Sequence, residues 1–196
     1  MHLSGLILAA GNSKRMGSGN KLLKKIDDLP MINHTINAAI KSNLNDLFII
    51  TGYESFKVKN TLNSFKVNII RNMNWEEGIG SSISIGVRTI KNLSDGLMII
   101  LGDMPFTESS IINDLIKNFR KDKIIIPTKK GKKGHPILFP LNFFKDLEGL
   151  KGDRGARKFI DNNESKIFSM EVSSNSIFYD IDTKEDLVKI QYKNLK

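Results

Sequence analysis

Leu6-Ile7-Leu8-Ala9-Ala10-Gly11-Asn12-Ser13-Lys14-Arg15-Met16-Gly17, with Lys21 close behind, is the stretch that decides how the chain folds. The run Leu3–Ala9 is apolar almost throughout, as a strand covered on both faces of a parallel sheet has to be. It ends in small residues, and a turn of that kind lets main-chain N–H groups approach an anion. Arg15 and Lys21 follow and neutralise the charge of such a ligand. Leu8, Ala9, Ala10 and Gly11 therefore read as the contacts of a polyphosphate loop, and a nucleotide is the first expectation. A plain strand-to-helix turn needs the same small residues; the two cations tip the reading towards phosphate. No Gly-Lys-Ser/Thr closes the loop, so it is not a Walker A motif. Gly78-Ile79-Gly80 carries the first two glycines of a dinucleotide fingerprint, but Ile83 stands where the third belongs.

Outward from this stretch, strand-like runs recur at Asp46–Thr51, Lys66–Ile70, Leu97–Leu101 and Lys123–Pro127. Between them, helical spacing appears at Ile32, Ile36, Ala39 and Ile40, at Ile83, Val87 and Ile90, and at Ile111, Ile112, Leu115, Ile116 and Phe119. The alternation predicts βαβ units, hence an α/β fold with a mostly parallel sheet and flanking helices. Beyond Pro127 the basic turn Lys129 to Lys133 separates two short extended runs, as a hairpin would. A last strand is expected over Ile177–Ile181, leading into a helix opened by Thr183 with Asp186 at capping-box spacing. Ligands of open α/β sheets sit at the carboxyl ends of the strands. The chemically suggestive residues fall there, after the first, the fourth and the last strand.

The totals narrow the classes. A chain of 196 residues favours a single domain spanning 1–196. Its 40% hydrophobic and 26% charged residues suit a water-soluble globular protein. No apolar run of about 18 residues predicts a membrane span, and Leu6–Ala10 is too short for a signal peptide. The absence of cysteine excludes disulfides, thiolate metal sites and cysteine nucleophiles, and suits a cytoplasmic location. Histidines stand far apart at 2, 34 and 135, so a metal here should be a hard cation on carboxylates. The net charge of +9 is spread along the chain. It reads as a solvated surface that steers anionic small substrates, with no nucleic-acid motif and no membrane partner expected.

Other segments carry chemistry. Leu101-Gly102-Asp103-Met104-Pro105 follows an apolar strand, and a carboxylate at such an exit needs water, a hydrogen bond or a cation. Magnesium suits Asp103, held with phosphate oxygens and water. The alternative is a helix cap near Thr107, a task Thr107 does better. In Tyr179-Asp180-Ile181-Asp182-Thr183, strand alternation puts Asp180 and Asp182 on one face. One is a candidate to complete the magnesium shell while the other caps a helix or bonds the backbone; the segment leaves open which, and equally leaves open that both serve as turn and cap residues. Trp75-Glu76-Glu77-Gly78-Ile79-Gly80-Ser81-Ser82 brings glycines and hydroxyls to a helix start, as a nucleotide contact or a plain cap. Gly134-His135-Pro136 heads an extended run. Gly152-Asp153-Arg154-Gly155-Ala156-Arg157 opens a helix with cations that suit an anionic group.

Taken in this order, these segments resemble the MobA/MocA-type nucleotidyltransferases, nearest their molybdenum cofactor cytidylyltransferase branch. The resemblance implies a Rossmann-like fold of the nucleotide-diphosphate-sugar transferase (GT-A-like) type with a small β-hairpin insertion. It implies transfer of a nucleotidyl group from CTP, or another NTP such as GTP, to a phosphorylated pterin-type acceptor carrying molybdenum; the alternatives are another phosphorylated acceptor or a non-catalytic chaperone that delivers the cofactor. Pyrophosphate would leave, and a molybdenum hydroxylase would receive the product. On this resemblance Arg15, Lys21 and Asp103 are catalytic, and Mg2+ sits on Asp103 with Asp182 or Asp180. Leu8, Ala9, Ala10, Gly11, Gly80, Ser81 and Ser82 contact the nucleotide, and His135 and Arg157 lie towards the acceptor. The guanylyl branch usually has Leu-Ala-Gly-Gly in the first loop; here Ala10 takes the third place, and its methyl is expected to narrow the pocket against a purine.

Overall fold

The computed structural model describes residues 1–17, 19–183 and 185–188. Strand β1 (Leu3–Ala9) is buried along its whole length. A short hairpin, β2 (Lys25–Ile26) and β3 (Leu29–Pro30), leads into helix α1 (Met31–Ile40). Strand β4 (Asp46–Thr51), helix α2 (Ser55–Thr61) and strand β5 (Asn68–Arg71) come next. Helix α3 (Ile79–Ile90), strand β6 (Gly96–Leu101) and helix α4 (Ser109–Lys117) complete the regular part. The remainder comprises strands β7 (Ile124–Lys129), β8 (Lys132–Lys133) and β9 (Ile137–Pro140), helices α5 (Phe144–Glu148) and α6 (Arg157–Asn162), and strand β10 (Ile167–Glu171).

The main sheet runs β10-β7-β9-β6-β1-β4-β5, with β8 paired to β7. Central β1 pairs in parallel with β4 and β6, so Leu6 lies opposite both Phe48 and Ile99. β9 runs antiparallel to β6 and β7, which makes the sheet mixed but mostly parallel, as expected. The basic turn forms the predicted hairpin, with Lys129 opposite Lys132.

Helices cover both faces. Side chains alternate along a strand, so Leu3 and Ile7 pack with Ile32, Ile36, Ile112 and Leu115 on one side. Leu6 and Leu8 pack with Ile83, Val87, Ile90 and Leu147 on the other. Two separate apolar layers explain why β1, β4 and β6 read as nearly continuous apolar runs. At Gly86 an added Cβ would lie 2.5 Å from the Leu6 side chain, so α3 lies close on β1.

Three expectations are corrected. Ile177–Ile181 is not a strand: Ser176–Phe178 forms one helical turn and the chain then runs irregularly. Ile177 and Ile181 are apolar because each plugs the core singly, so their spacing imitated a strand. The same-face argument for Asp180 and Asp182 falls with it. Helix α4 is entered from Glu108, not Thr107, whose hydroxyl donates instead to the Met104 carbonyl at 2.8 Å. β10 and α2 were not foreseen, because both are short and carry little apolar periodicity. Capping by Thr183 and Asp186 is formed: each main-chain N–H donates to the other's side chain, at 2.9 and 3.2 Å.

Candidate functional site

A cavity of about 790 Å3 opens at the carboxyl ends of β1 and β6, within the size range of small-ligand sites. Its floor is the turn after β1. Leu8, Ala9, Ala10 and Gly11 all line it, followed by Asn12, Ser13, Lys14 and Arg15. The chain reverses through Ser13, at φ 54°, and Gly17, at φ 79°. A serine tolerates that left-handed conformation poorly, and here its hydroxyl accepts from the Lys21 N–H at 3.1 Å. The buried Asn20 closes the loop: its Oδ1 accepts from the Leu22 N–H at 3.0 Å, and its Nδ2 donates to the Tyr53 carbonyl at 3.2 Å.

Asp103 is delivered by a second turn. The Gly102 N–H donates to the Leu8 carbonyl at 3.0 Å. A Cβ on residue 102 would stand 2.8 Å from that oxygen, so only glycine brings β6 this close to β1 there. From α1, the buried Thr35 hydroxyl bonds to the Met104 carbonyl at 3.1 Å. Asp182 arrives from far along the chain. Its loop is pinned twice, by the His135 N–H on the Ile177 carbonyl and by the Ile181 N–H on the Asp103 carbonyl, each at 3.0 Å.

These turns bring four charged groups together. Lys21 Nζ donates to Asp103 Oδ2 at 2.6 Å and to Asp182 Oδ1 at 2.7 Å. Arg15 Nη2 reaches Asp182 Oδ2 at 2.7 Å. Burial works against the Lys21 ammonium, but the Asp103 charge and the hydrogen bonds to both carboxylates outweigh it, so its pKa stands above the ordinary lysine value. Asp103 and Asp182 both face the cavity and share one ammonium, so they suit one hard cation. Among the described residues no group of three or more carboxylate or histidine side chains is placed to hold a metal ion by itself, and phosphate and water oxygens would fill the rest of such a shell. Asp180 does not line the cavity; burial and the neighbouring Asp182 charge raise its pKa.

The far wall comes from Trp75, Glu76, Gly78, Ile79 and Ser82, with Asp153 packed against Gly78. Of the three residues expected here, Ser82 reaches the cavity, and Gly80 and Ser81 do not. Gly80 is spent on chain contact: its N–H donates to the Gly152 carbonyl at 2.9 Å, and a Cβ there would meet the Lys151 backbone. Ser81 donates to the Gly78 carbonyl at 2.8 Å and lines a smaller cavity behind the wall. Buried Asn72 orients both hydroxyls, its Nδ2 donating to Ser81 Oγ at 2.8 Å and Ser82 Oγ at 3.0 Å. Arg157 opens α6 and is exposed, away from the cavity lining.

His135 also lies off the cavity. Gly134 packs against Ile177, with the carbonyl 2.6 Å from where a Cβ would stand. The imidazole Nδ1 is enclosed and has no hydrogen-bond partner among the described residues. Burial pushes the His135 pKa down to about 4, with the Asp103 charge only partly opposing it.

Sequence reasoning passed over Trp75, Asp153, Thr35 and Asn72 as site residues. A signal existed for Trp75, the only tryptophan, placed just before the glycine turn. It meets Tyr53 edge to face at 5.6 Å. A Cβ on Gly52 would stand 2.8 Å from the Ala10 carbonyl and collide with Trp75. Gly52→Ala should therefore displace the floor of the cavity and lower stability by about 1–3 kcal/mol. Urea unfolding checks this; an unchanged midpoint would mean that the contact relaxes freely.

Residues 5–167 match the family model described as the MobA-like NTP transferase domain. The chain belongs to that family. It is 26% identical over 196 residues to the purine catabolism protein PucB of Bacillus subtilis, covering 94% of each chain. To the molybdenum cofactor cytidylyltransferase of Escherichia coli it is 27% identical over 188 residues, covering 93% of this chain and 92% of that one. A structure of Rv0371C from Mycobacterium tuberculosis in complex with manganese superposes with a TM-score of 0.85 at 20% identity, covering 98% of this chain and 99% of that one. This MobA-like domain is thus a nucleotidyltransferase by family, with the fold that its sequence led us to expect. Among the described residues no helix is long and apolar enough to cross a membrane.

Proposed function

We propose that this MobA-like domain transfers CMP from CTP to a phosphorylated pterin-type acceptor carrying molybdenum, and releases pyrophosphate. The observation that carries the reading is the meeting of Arg15, Lys21, Asp103 and Asp182 at the open end of the small-residue turn. Similarity to a molybdenum cofactor cytidylyltransferase supports the choice of acceptor. Ala10 supports cytosine over guanine: it is buried, lines the cavity and packs so close to Gly52 that a Cβ there would stand 2.8 Å from its methyl.

An acceptor phosphate oxygen forms a bond to the α-phosphorus as the bond from that phosphorus to the bridging β-oxygen breaks, and the electron pair leaves with pyrophosphate. The chain forms no covalent intermediate; positioning and charge neutralisation supply the acceleration. The N–H groups beyond Ala9 and Ala10 hold the phosphates, and Arg15 and Lys21 neutralise the leaving pyrophosphate. Asp103 and Asp182 are the residues to hold Mg2+, which would supply charge neutralisation at the reacting phosphates. The manganese complex of a relative with the same fold is consistent with a divalent cation. Ser82 and Trp75 face the nucleoside. A cytoplasmic location and delivery to a molybdenum hydroxylase complete the reading.

The test is pyrophosphate release, with each of the four NTPs offered alongside Mg2+, with and without molybdopterin carrying molybdenum. Release with CTP that depends on the acceptor supports the proposal. GTP turnover equal to that of CTP would remove the role given to Ala10. Release with CTP that ignores the pterin would redirect the search to another acceptor. Arg15→Ala should lower kcat on the order of tenfold to a hundredfold while KM for CTP changes less, because its charge counts most when the leaving group forms. A rise in KM alone would place Arg15 in ground-state binding only.

A further inference from the structure

The carboxylates and cations at the cavity mouth are joined to each other. Lys21 Nζ lies 2.6 Å from Asp103 Oδ2 and 2.7 Å from Asp182 Oδ1, and Arg15 Nη2 holds Asp182 Oδ2 at 2.7 Å. Three of the four carboxylate oxygens thus face a protein cation. Two negative charges meet two positive ones, so the group is formally neutral. Lys21 is its enclosed cation, with a side chain 13% exposed against 71% for Arg15. Its main chain is fixed by the Ser13 hydroxyl and by the Asn20 cap.

We infer that Lys21 is a built-in counter-cation, exchanged between the two carboxylates and a triphosphate, and that this exchange couples divalent-cation binding to nucleotide binding. The exchange presupposes the nucleotidyltransferase reading and specifies how its two ligands help each other. A divalent cation entering alone has to separate ion pairs partly shielded from water, and it leaves Lys21 and Arg15 without counter-charge beside it. A triphosphate entering alone draws both cations onto its own oxygens, which leaves Asp103 and Asp182 uncompensated next to further negative charge. When both enter, every charge keeps a partner. Leaving one member of an enclosed ion pair alone is unfavourable, so each ligand raises the affinity of the other, by the same factor in both directions. Couplings of this kind run from about fivefold to 150-fold.

The test uses Mn2+ as the probe, with free Mn2+ followed by electron paramagnetic resonance on the full chain. It is run with and without a CTP analogue whose α,β-bridge cannot be cleaved, and the Mn2+ held by the analogue alone is measured without protein and subtracted. Wild-type protein should bind Mn2+ about tenfold more tightly in the presence of the analogue. Lys21→Met removes the ammonium and keeps the apolar stem. It should bind Mn2+ alone about tenfold more tightly than wild type and lose most of the gain from nucleotide. Lys21→Gln is a second variant, and thermal melts verify the fold of both. Wild-type affinity that ignores the nucleotide, or variants that bind Mn2+ alone no better than wild type, would show that Lys21 is no competitor. Neither arm needs turnover. A chain that passes both but transfers no nucleotide would sink the proposed activity alone; normal pyrophosphate release by the wild type with Mn2+ binding unchanged in the variants would sink the exchange alone.

Discussion

Asp103→Ala should lower turnover by roughly two to three decades, the scale of losing one group that stabilises charge in a transition state. The effect is expected to be large because the position is singular. Asp103 leaves the central strand β6 in a turn fixed by the Leu8 carbonyl and the Thr35 hydroxyl, which holds its carboxylate at the cavity mouth. Lys21 keeps its second partner, Asp182, at 2.7 Å, so the fold should survive the change. Pyrophosphate release at saturating CTP, with a thermal melt beside it, makes the measurement. Near-normal turnover in a folded variant would remove Asp103 from the chemistry, and the cation with it.

The second large effect concerns acid. An unfolded chain protonates His135 near pH 6.5, whereas the folded protein resists until about pH 4 because burial disfavours the imidazolium. Between these values the unfolded state binds the extra proton. Stability is thus full above the unfolded value, falls as the pH drops through the interval, and loses nothing more from this group below it. The interval corresponds to at most about 3 kcal/mol. His135→Gln should reduce the loss of stability between pH 7 and pH 4.5 by about 2 kcal/mol in urea unfolding. An equal loss in both proteins would mean that the imidazole titrates freely. The consequence reaches the site, because the His135 N–H holds the Ile177 carbonyl and so the loop that carries Asp182.

Much of this was legible from local pattern. The apolar runs of β1, β4 and β6 announced strands covered on both faces, and the helical spacing of Ile83, Val87 and Ile90 announced the helix that covers one of them. The turn from Ala9 to Gly11 with Arg15 and Lys21 directed attention to the end of β1, and the cavity opens there. Misreadings arose where residues obey tertiary demands. Ile177 and Ile181 are apolar because each fills its own place in the core. Gly80 looked like a ligand contact, yet its missing side chain makes room for the Lys151 backbone. Thr35 carries no signal in its local sequence, and only the packing of α1 against the turn after β6 gives its hydroxyl a task.

By itself the sequence determined the strand-and-helix alternation, the small-residue turn and the kinds of charge around it, because each is written within a few neighbouring residues. Tertiary structure alone decided which carboxylate meets which cation. Lys21 finds Asp103 at 82 residues' separation and Asp182 at 161. No local rule spans such distances; they close only when two apolar layers bury the sheet and bring the ends of its strands to one rim.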